Sequence, residues 1–172
     1  METQTKPVSG MIKLTDQEFV TLSTFVRDQF GINLSNKRVL IEGRMSNVLR
    51  ERGMSSFQQY LDVLFADRSG AEVNALLNRL TTNHSYFMRE KEHFNFMSTH
   101  VLPFLEKNRP DRDLRIWSAG CSAGQEAYTM AIVIDEYFGS QKSLWDTTIL
   151  ATDISMNVLE QAKRAIYTAD NL

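Results

Sequence analysis

The chain has 172 residues and 42% of them are hydrophobic, so it can bury the core of one domain or of two small ones. Its 19 basic and 21 acidic side chains give a net charge of −2, which provides no general reason to expect a nucleic acid as partner. One cysteine, Cys121, excludes a disulfide framework within the chain and a zinc site made of cysteines alone. No apolar run approaches the roughly 18 residues of a membrane span. Met1–Gly10 also lacks the apolar core of a signal peptide, so we expect a soluble, cytoplasmic protein.

Residues 12–89 have the pattern of a small helical bundle, preceded by a lead over residues 1–11 that we expect to be flexible. A capping box at Thr15 and Glu18 marks the start of the first helix, and Gly31 marks its end. Three more helices are predicted over 36–52, 56–66 and 71–81. The apolar stripes of the four helices are Phe19, Leu22 and Val26; Ile41, Met45, Val48 and Leu49; Phe57, Tyr60, Leu61, Leu64 and Phe65; and Val73, Leu76, Leu77 and Leu80.

A fifth helix is predicted over 90–107, with Phe94, Met97, Val101 and Leu105 on its inner face. The composition shifts at its start, since residues 1–90 hold 11 basic and 10 acidic side chains and residues 91–172 hold 8 and 11. We therefore predict a boundary near residue 90. The expected parts are a helical domain over 12–89, a bridging helix and linker over 90–110, and an α/β part over 111–172.

The α/β part begins with a strand over Leu114–Trp117, a turn of small residues over Ser118–Gly124 and a helix that continues to Phe138. This order of elements binds nucleotide-like ligands at the carboxyl end of the strand. A second strand is predicted over Thr147–Ala151. A last helix over 156–166 is expected to bury Val158, Leu159, Ala162 and Ile166. The fold class is thus α+β overall, an all-α bundle followed by a partial Rossmann-like domain.

The residues of the turn favour a ligand without phosphate. Gly120 and Gly124 are four apart, which is not the dinucleotide fingerprint, and Gly124 is followed by Gln125 and Glu126 rather than by the lysine of a P-loop. A carboxylate repels phosphate and suits a cationic amine, a sulfonium or a hydroxyl donor. Asp153 closes the second strand, where it can accept hydrogen bonds from ribose hydroxyls. Together these features indicate S-adenosylmethionine, although the glycines could form an ordinary tight turn and Asp153 could cap the helix that follows.

Three segments of the sequence resemble the CheR family, the chemotaxis receptor methyltransferases. They are Thr82-Asn83-His84-Ser85-Tyr86-Phe87-Met88-Arg89, Trp117-Ser118-Ala119-Gly120-Cys121-Ser122-Ala123-Gly124-Gln125-Glu126-Ala127-Tyr128 and Ala151-Thr152-Asp153-Ile154. The resemblance covers nearly the whole chain in the family's order. It implies a class I methyltransferase domain that uses S-adenosylmethionine, with S-adenosylhomocysteine as product, to methylate glutamates in the cytoplasmic helical region of chemotaxis receptors.

The resemblance also implies a set of site residues. The cofactor-binding residues are Asn83, Ser85, Arg89, Ala119, Gly120, Glu126 and Asp153, and Arg89 is the candidate catalytic residue. Ser85 stands where the family usually has threonine, and Gln125 and Ala127 depart from the family's second glutamate and its proline. From the residues alone, Asn83 and Ser85 could instead cap the fifth helix, and Arg89 could hold the carboxylate of either the cofactor or the substrate.

The second helix carries an excess of basic side chains, with Lys37, Arg38, Arg44, Arg50 and Arg52 set against Glu42 and Glu51. These residues could dock an acidic receptor helix, as the resemblance implies, or could form an ordinary solvated face. His84, His93 and His100 do not have the spacing of a metal site, although His84 could line the cofactor site.

Strand–helix–strand–helix is barely half of a nucleotide-binding sheet, and the CheR family continues well beyond this point. We therefore expect a truncated form that is inactive or weakly active, with exposed sheet edges that favour self-association. A non-catalytic receptor-docking or regulatory module is the alternative function.

Overall fold

A computed structural model describes residues 10–81 and 83–168, so the predicted flexible lead lies largely outside the described residues. The chain forms two compact units, Met1–Thr81 and Thr82–Leu172. This division precedes the boundary predicted near residue 90, because the segment before the fifth helix is bonded to the second unit. Ser122 Oγ donates to the Asn83 carbonyl oxygen at 3.1 Å, and the Met88 N–H donates to Thr129 Oγ1 at 3.3 Å.

The first unit contains four helices, α1 (Asp16–Phe30), α2 (Arg38–Glu51), α3 (Phe57–Ala66) and α4 (Ala71–Leu80). The predicted capping box is confirmed, since Glu18 N–H donates to Thr15 Oγ1 at 3.2 Å and Thr15 N–H donates to Glu18 Oε2 at 2.7 Å. Gly31 ends α1 in the left-handed conformation, with φ of 69°. These local signals therefore set both ends of the first helix.

The four predicted apolar stripes meet in one core, although Leu77 is buried outside it. Its fully buried members include Leu22, Val26, Ile41, Leu49, Phe57 and Leu76. Phe65 was predicted to join them, but it is 48% exposed. Phe65 lies in the last turn of α3. Its ring packs against the ring of Phe25 in a T-shaped arrangement, with 5.2 Å between the ring centroids, instead of entering the core.

The predicted fifth helix begins the second unit and is interrupted. It consists of α5 (Lys91–Phe96), a π-helical segment over Met97–Val101, and α6 (Leu102–Asn108). A π turn contains one extra residue, so it shifts the buried face by one position. Phe94 is buried as predicted, but the next fully buried residue is Leu102 and not Val101.

The α/β elements follow as β1 (Ile116–Ala119), α7 (Gln125–Phe138), a 3₁₀ segment (Gly139–Leu144), β2 (Ile149–Thr152) and α8 (Met156–Arg164). The strands pair in parallel, in a register that aligns Ala119 with Thr152. The turn after β1 and Asp153 after β2 therefore begin at the same edge of the sheet. Both strands begin two residues later than predicted.

The core of the second unit lies between the interrupted helix, α7 and the strands. Its buried members are Phe94, Leu102, Leu114, Val133, Ile134 and Phe138. The prediction for the last helix is wrong in part, because Val158 is its one buried residue and Ile166 is 82% exposed. The reason is that α8 ends at Arg164, and Ala165 turns the chain with φ of 52°. No helix within residues 10–81 or 83–168 is both long and apolar enough to cross a membrane.

Candidate functional site

The turn between β1 and α7 contains two glycines that are needed for different reasons. Both adopt positive φ, 89° for Gly120 and 96° for Gly124. A Cβ atom on Gly120 would have no protein atom within 4 Å, whereas one on Gly124 would lie 2.8 Å from Tyr167 Oη and 2.9 Å from Ala162 Cβ. Gly124 is thus required by packing within the protein, while Gly120 presents bare backbone to a cavity.

Asp153 joins the end of β2 to this turn. One carboxylate oxygen accepts from the Ser122 N–H and the other from the Ser155 N–H, both at 2.8 Å. Ser155 is itself the N-cap of α8, accepting from the Val158 N–H at 3.4 Å. Asp153 is therefore not the N-cap of α8. Its two backbone bonds fix the carboxylate beside the cavity, and each carboxylate oxygen has a further lone pair for a ligand.

Glu126 lies in the first turn of α7, on the side of the cavity. Its Oε1 accepts from the hydroxyl of the buried Ser118 at 2.6 Å, so β1 fixes the position of the carboxylate. The neighbouring Gln125 is buried and does not line the cavity. The structure thus separates the two adjacent polar residues, and Glu126 is the one that can reach a ligand.

The segment before α5 approaches the cavity from the other side. Its Arg89 Nη1 donates to the His84 carbonyl oxygen at 3.0 Å. Asn83 Nδ2 donates to Ser155 Oγ at 3.5 Å. The helix begins at Lys91 with Glu90 as its N-cap residue, so the alternative that Asn83 and Ser85 cap this helix is wrong.

These elements enclose a cavity of about 440 Å³. Six of the predicted cofactor residues line it, namely Asn83, Ser85, Arg89, Gly120, Glu126 and Asp153. The seventh, Ala119, ends β1 but is not a lining residue. The cavity is also lined by residues not singled out as ligands from the sequence: Tyr86, Glu90, His93, Phe94, Met97, Cys121, Ser122 and Met130. His84 also lines the cavity, as the sequence allowed. Helical periodicity could have predicted several of these lining residues. One helix face carries Glu90, His93, Phe94 and Met97, and Met130 lies one turn after Glu126.

The cavity carries more acidic than basic groups. Glu90, Glu126 and Asp153 stand against Arg89, and His93 Nδ1 lies 3.1 Å from a Glu90 oxygen. Burial raises the pKa of the Cys121 thiol, and the negative charge of Asp153 raises it further, so this cysteine is protonated and a poor nucleophile. Over the described ranges, no group of histidine, cysteine and acidic side chains could hold a metal ion.

The basic side chains of α2 are largely engaged within the first unit. Arg44 Nη1 donates to three carbonyl oxygens at the end of α4, those of Arg79, Leu80 and Thr81, at 3.1, 2.7 and 3.0 Å. Arg52 pairs with Glu72 at 2.6 Å. The remaining contacts are Arg38 with Asp16 and the ring of Phe19, and Arg50 with Ser46 and Asn47. The four arginines thus have partners within the described part of the first unit and Lys37 is exposed, so these five residues do not form one uncommitted patch.

Comparison with known proteins gives two adjacent matches. Residues 17–81 match the family described as "CheR methyltransferase, all-alpha domain", and residues 83–172 match "CheR methyltransferase, SAM binding domain". S-adenosylmethionine is thus the cofactor that this domain family binds.

The similar proteins carry the same name. Over 176 residues the chain is 38% identical to the chemotaxis protein methyltransferase of Borreliella burgdorferi, covering 100% of this chain and 62% of that protein. It is 33% identical to the chemotaxis protein methyltransferase of Salmonella typhimurium over 162 residues, covering 94% of this chain and 54% of that protein. The chain spans a little over half the length of these relatives. The two domain matches, in order and along nearly all of the sequence, show that the chain belongs to the CheR methyltransferase family.

Proposed function

We propose that the chain binds S-adenosylmethionine in the cavity at the carboxyl ends of β1 and β2 and serves the methylation of glutamates in the cytoplasmic helical region of chemotaxis receptors. One observation carries the proposal. Gly120, Glu126 and Asp153, from the turn after β1, the start of α7 and the end of β2, line the same cavity as Arg89. The family membership and the names of the relatives support the reaction class.

The residues at the cavity fit this cofactor. Its volume of about 440 Å³ lies within the range of roughly 300–1,000 Å³ found for small-molecule sites. Gly120 lacks a side chain where no protein atom would obstruct one, which suits close approach of a ligand to the backbone. The two carboxylates favour hydroxyl and amine donors and disfavour phosphate. Arg89 supplies a fork for the carboxylate of an amino acid.

We assign the ligand contacts by these chemical preferences. Asp153 accepts from the ribose hydroxyls, and Glu126 accepts from the amine or the ribose. Asn83 and Ser85 contribute polar contacts from the segment that leads to Arg89. Gly120 provides backbone beside the ligand. The bonds from Ser122, Ser155 and Ser118 hold the two carboxylates in place before any ligand arrives, which lowers the cost of ordering them.

S-adenosylmethionine supplies a methyl group on a sulfonium, and the acceptor is a glutamate carboxylate with an unperturbed pKa of about 4.3. The acceptor is therefore ionised at neutral pH, so no general base has to remove a proton. The task left to the protein is to align the reacting groups and to exclude water from the carboxylate. Arg89 is the candidate to orient a carboxylate.

The test is transfer of labelled methyl from S-adenosylmethionine to receptor cytoplasmic fragments by the 172-residue chain. In keeping with a form that is at most weakly active, we expect a low level of base-labile label on fragments that carry glutamate and none where those glutamates are replaced by glutamine. Arg89→Ala should reduce transfer at least about tenfold while changing the free energy of unfolding by less than about 1 kcal/mol, since Arg89 is exposed. Transfer that survives Arg89→Ala in a folded chain would leave Arg89 with a structural role alone.

A non-catalytic docking module is the second candidate, and the all-α domain matched over residues 17–81, which forms a compact unit of its own, is the part that would dock. In this case the chain binds receptor fragments without transferring methyl. The proposed docking residues are Lys37, Arg38, Arg44, Arg50 and Arg52. Lys37 is the residue to test first, because it is exposed and the four arginines have contacts inside the unit. Lys37→Glu should weaken receptor-fragment binding, while an unchanged affinity argues against docking through this helix.

The uncovered face of the sheet supports self-association. Trp117 and Leu150 lie opposite each other in the register and are 62% and 60% exposed. Burying such a pair against a second copy removes apolar surface from water. Sedimentation velocity should show a dimer whose population falls in Leu150→Lys, and a monomer at all concentrations would refute self-association.

A further inference from the structure

Thr129 is a buried polar residue in the middle of α7 that the apolar pattern of this helix does not require. Its side chain is fully buried, with 0% exposure. Its hydroxyl donates to the Gln125 carbonyl oxygen at 2.7 Å and accepts from the Met88 N–H at 3.3 Å. The first bond is a common contact within a helix, but the second reaches 41 residues back along the chain, to the segment that carries Arg89.

The segment that receives this bond is strained. Met88 and Glu90 have φ of 57° and 58°, in the left-handed region that residues with a side chain seldom adopt. These two residues flank Arg89, so the conformation of both decides where the guanidinium points. Backbone in this region persists only where the surroundings hold it, and such positions cluster at functional sites.

We propose that Thr129 is a positioning residue: its hydroxyl anchors the Met88–Glu90 turn so that Arg89 faces the cavity. The same helix carries Glu126 one turn earlier, on the cavity wall. Helix α7 therefore positions the Glu126 carboxylate directly and the Arg89 guanidinium through the Met88–Glu90 turn. This fixes the distance between the two charged groups. This inference rests on the proposed function, in which Arg89 meets a carboxylate of the ligand.

The test compares Thr129→Val, which keeps the shape and removes the hydroxyl, with Thr129→Ser, which keeps the hydroxyl. In the ligand-free 172-residue chain, amide hydrogen exchange by NMR reports the anchor directly. We expect the Met88 amide to exchange about tenfold faster in Thr129→Val and within about twofold of the wild type in Thr129→Ser, in line with the loss of one hydrogen bond. If Thr129→Val fails to fold, Thr129→Ala removes the hydroxyl with less bulk.

Calorimetric titration with S-adenosylhomocysteine then asks whether the anchor acts through Arg89. We expect Thr129→Val to weaken binding about tenfold in the wild-type background and to have no further effect in an Arg89→Ala background, because the positioned group is then gone. Equal weakening in both backgrounds would overturn the positioning role. Unchanged exchange at Met88 in Thr129→Val would overturn the anchor itself.

The two proposals fail in different ways. If the wild-type chain binds no S-adenosylhomocysteine, or if Arg89→Ala binds it as well as the wild type, the proposed ligand contact of Arg89 is wrong. Faster Met88 exchange in Thr129→Val would still establish the anchor in that case. If Arg89→Ala loses affinity while Thr129→Val keeps both its affinity and its Met88 protection, the proposed function stands and the inference about Thr129 is refuted.

Discussion

Replacing Gly120 and Gly124 of the β1–α7 turn by alanine, one at a time, should separate the effect of packing on stability from the effect of ligand contact on affinity. Gly124→Ala places a Cβ 2.8 Å from Tyr167 Oη, 2.9 Å from Ala162 Cβ and 3.1 Å from Tyr128 Cε2. Tyr167 is held in place, because its hydroxyl donates to the Ala123 carbonyl oxygen at 2.6 Å and its ring packs against Phe87 with 5.0 Å between the ring centroids. Gly120→Ala is the matched control, because its φ is similar and its Cβ meets no protein atom within 4 Å.

Both substitutions lower the free energy of unfolding through backbone strain, and Gly124→Ala lowers it further through overpacking. A non-glycine residue in the left-handed region costs roughly 1–2 kcal/mol, which applies to both. Overpacking costs about 1–3 kcal/mol more and applies only at Gly124. We therefore expect Gly124→Ala to lower the free energy of unfolding by about 2–5 kcal/mol and Gly120→Ala by about 1–2 kcal/mol.

Urea unfolding followed by tryptophan fluorescence measures this difference in the second unit, because both tryptophans, Trp117 and Trp145, lie there. Affinity for S-adenosylhomocysteine should show the opposite order, with Gly120→Ala binding more weakly because its methyl group enters the cavity. Equal losses of stability would refute the packing argument. Wild-type affinity in Gly120→Ala would refute the claim that Gly120 contacts the ligand.

Three further predictions concern individual side chains. Arg44→Ala should lower the free energy of unfolding of the first unit by about 1–3 kcal/mol, because three carbonyl oxygens lose their donor. Lys37→Ala, at an exposed residue, should change this free energy by less than about 0.5 kcal/mol. Urea unfolding followed by circular dichroism compares the two variants. Burial of Glu42 acts to raise its pKa, but the hydrogen bonds from Lys13 and the Leu14 N–H outweigh burial and lower the pKa below its ordinary value. The contribution of this carboxylate to stability is therefore complete above its unfolded pKa and is lost as the pH falls through the lower folded pKa. Glu42→Gln should flatten the acid limb of a stability–pH curve, and an unchanged limb contradicts this. Cys121 should react with a disulfide reagent at pH 8 more slowly than a free thiol, since burial and Asp153 raise its pKa, and a rate equal to that of a free thiol contradicts this reading.

Local patterns predicted much of the fold because they act over a few residues. The capping box at Thr15 and Glu18 and the left-handed Gly31 placed the ends of α1, and the 3.6-residue period found the core of the first unit. The order strand, turn, helix, strand brought Gly120 and Asp153 to one edge of the sheet, because parallel strands end on the same side.

The remaining features depend on contacts between distant residues. The π-helical segment moves the buried face from Val101 to Leu102, and nothing in the local period indicates it. Arg44 has the sequence features of a basic surface residue, yet its partners lie 35 to 37 residues further along the chain. The hydroxyl of Thr129 acquires a role only when Met88 is placed against α7.

Isothermal titration of the 172-residue chain with S-adenosylhomocysteine tests whether this cavity is the cofactor site. Adenosine triphosphate is the control ligand and Asp153→Asn is the control variant. We expect saturable binding of S-adenosylhomocysteine that Asp153→Asn weakens, and no binding of the triphosphate, because the carboxylates of Glu126 and Asp153 repel phosphate. A chain that is folded by circular dichroism and binds no S-adenosylhomocysteine, or that binds it equally well without the Asp153 carboxylate, would contradict the assignment of this cavity as the cofactor site.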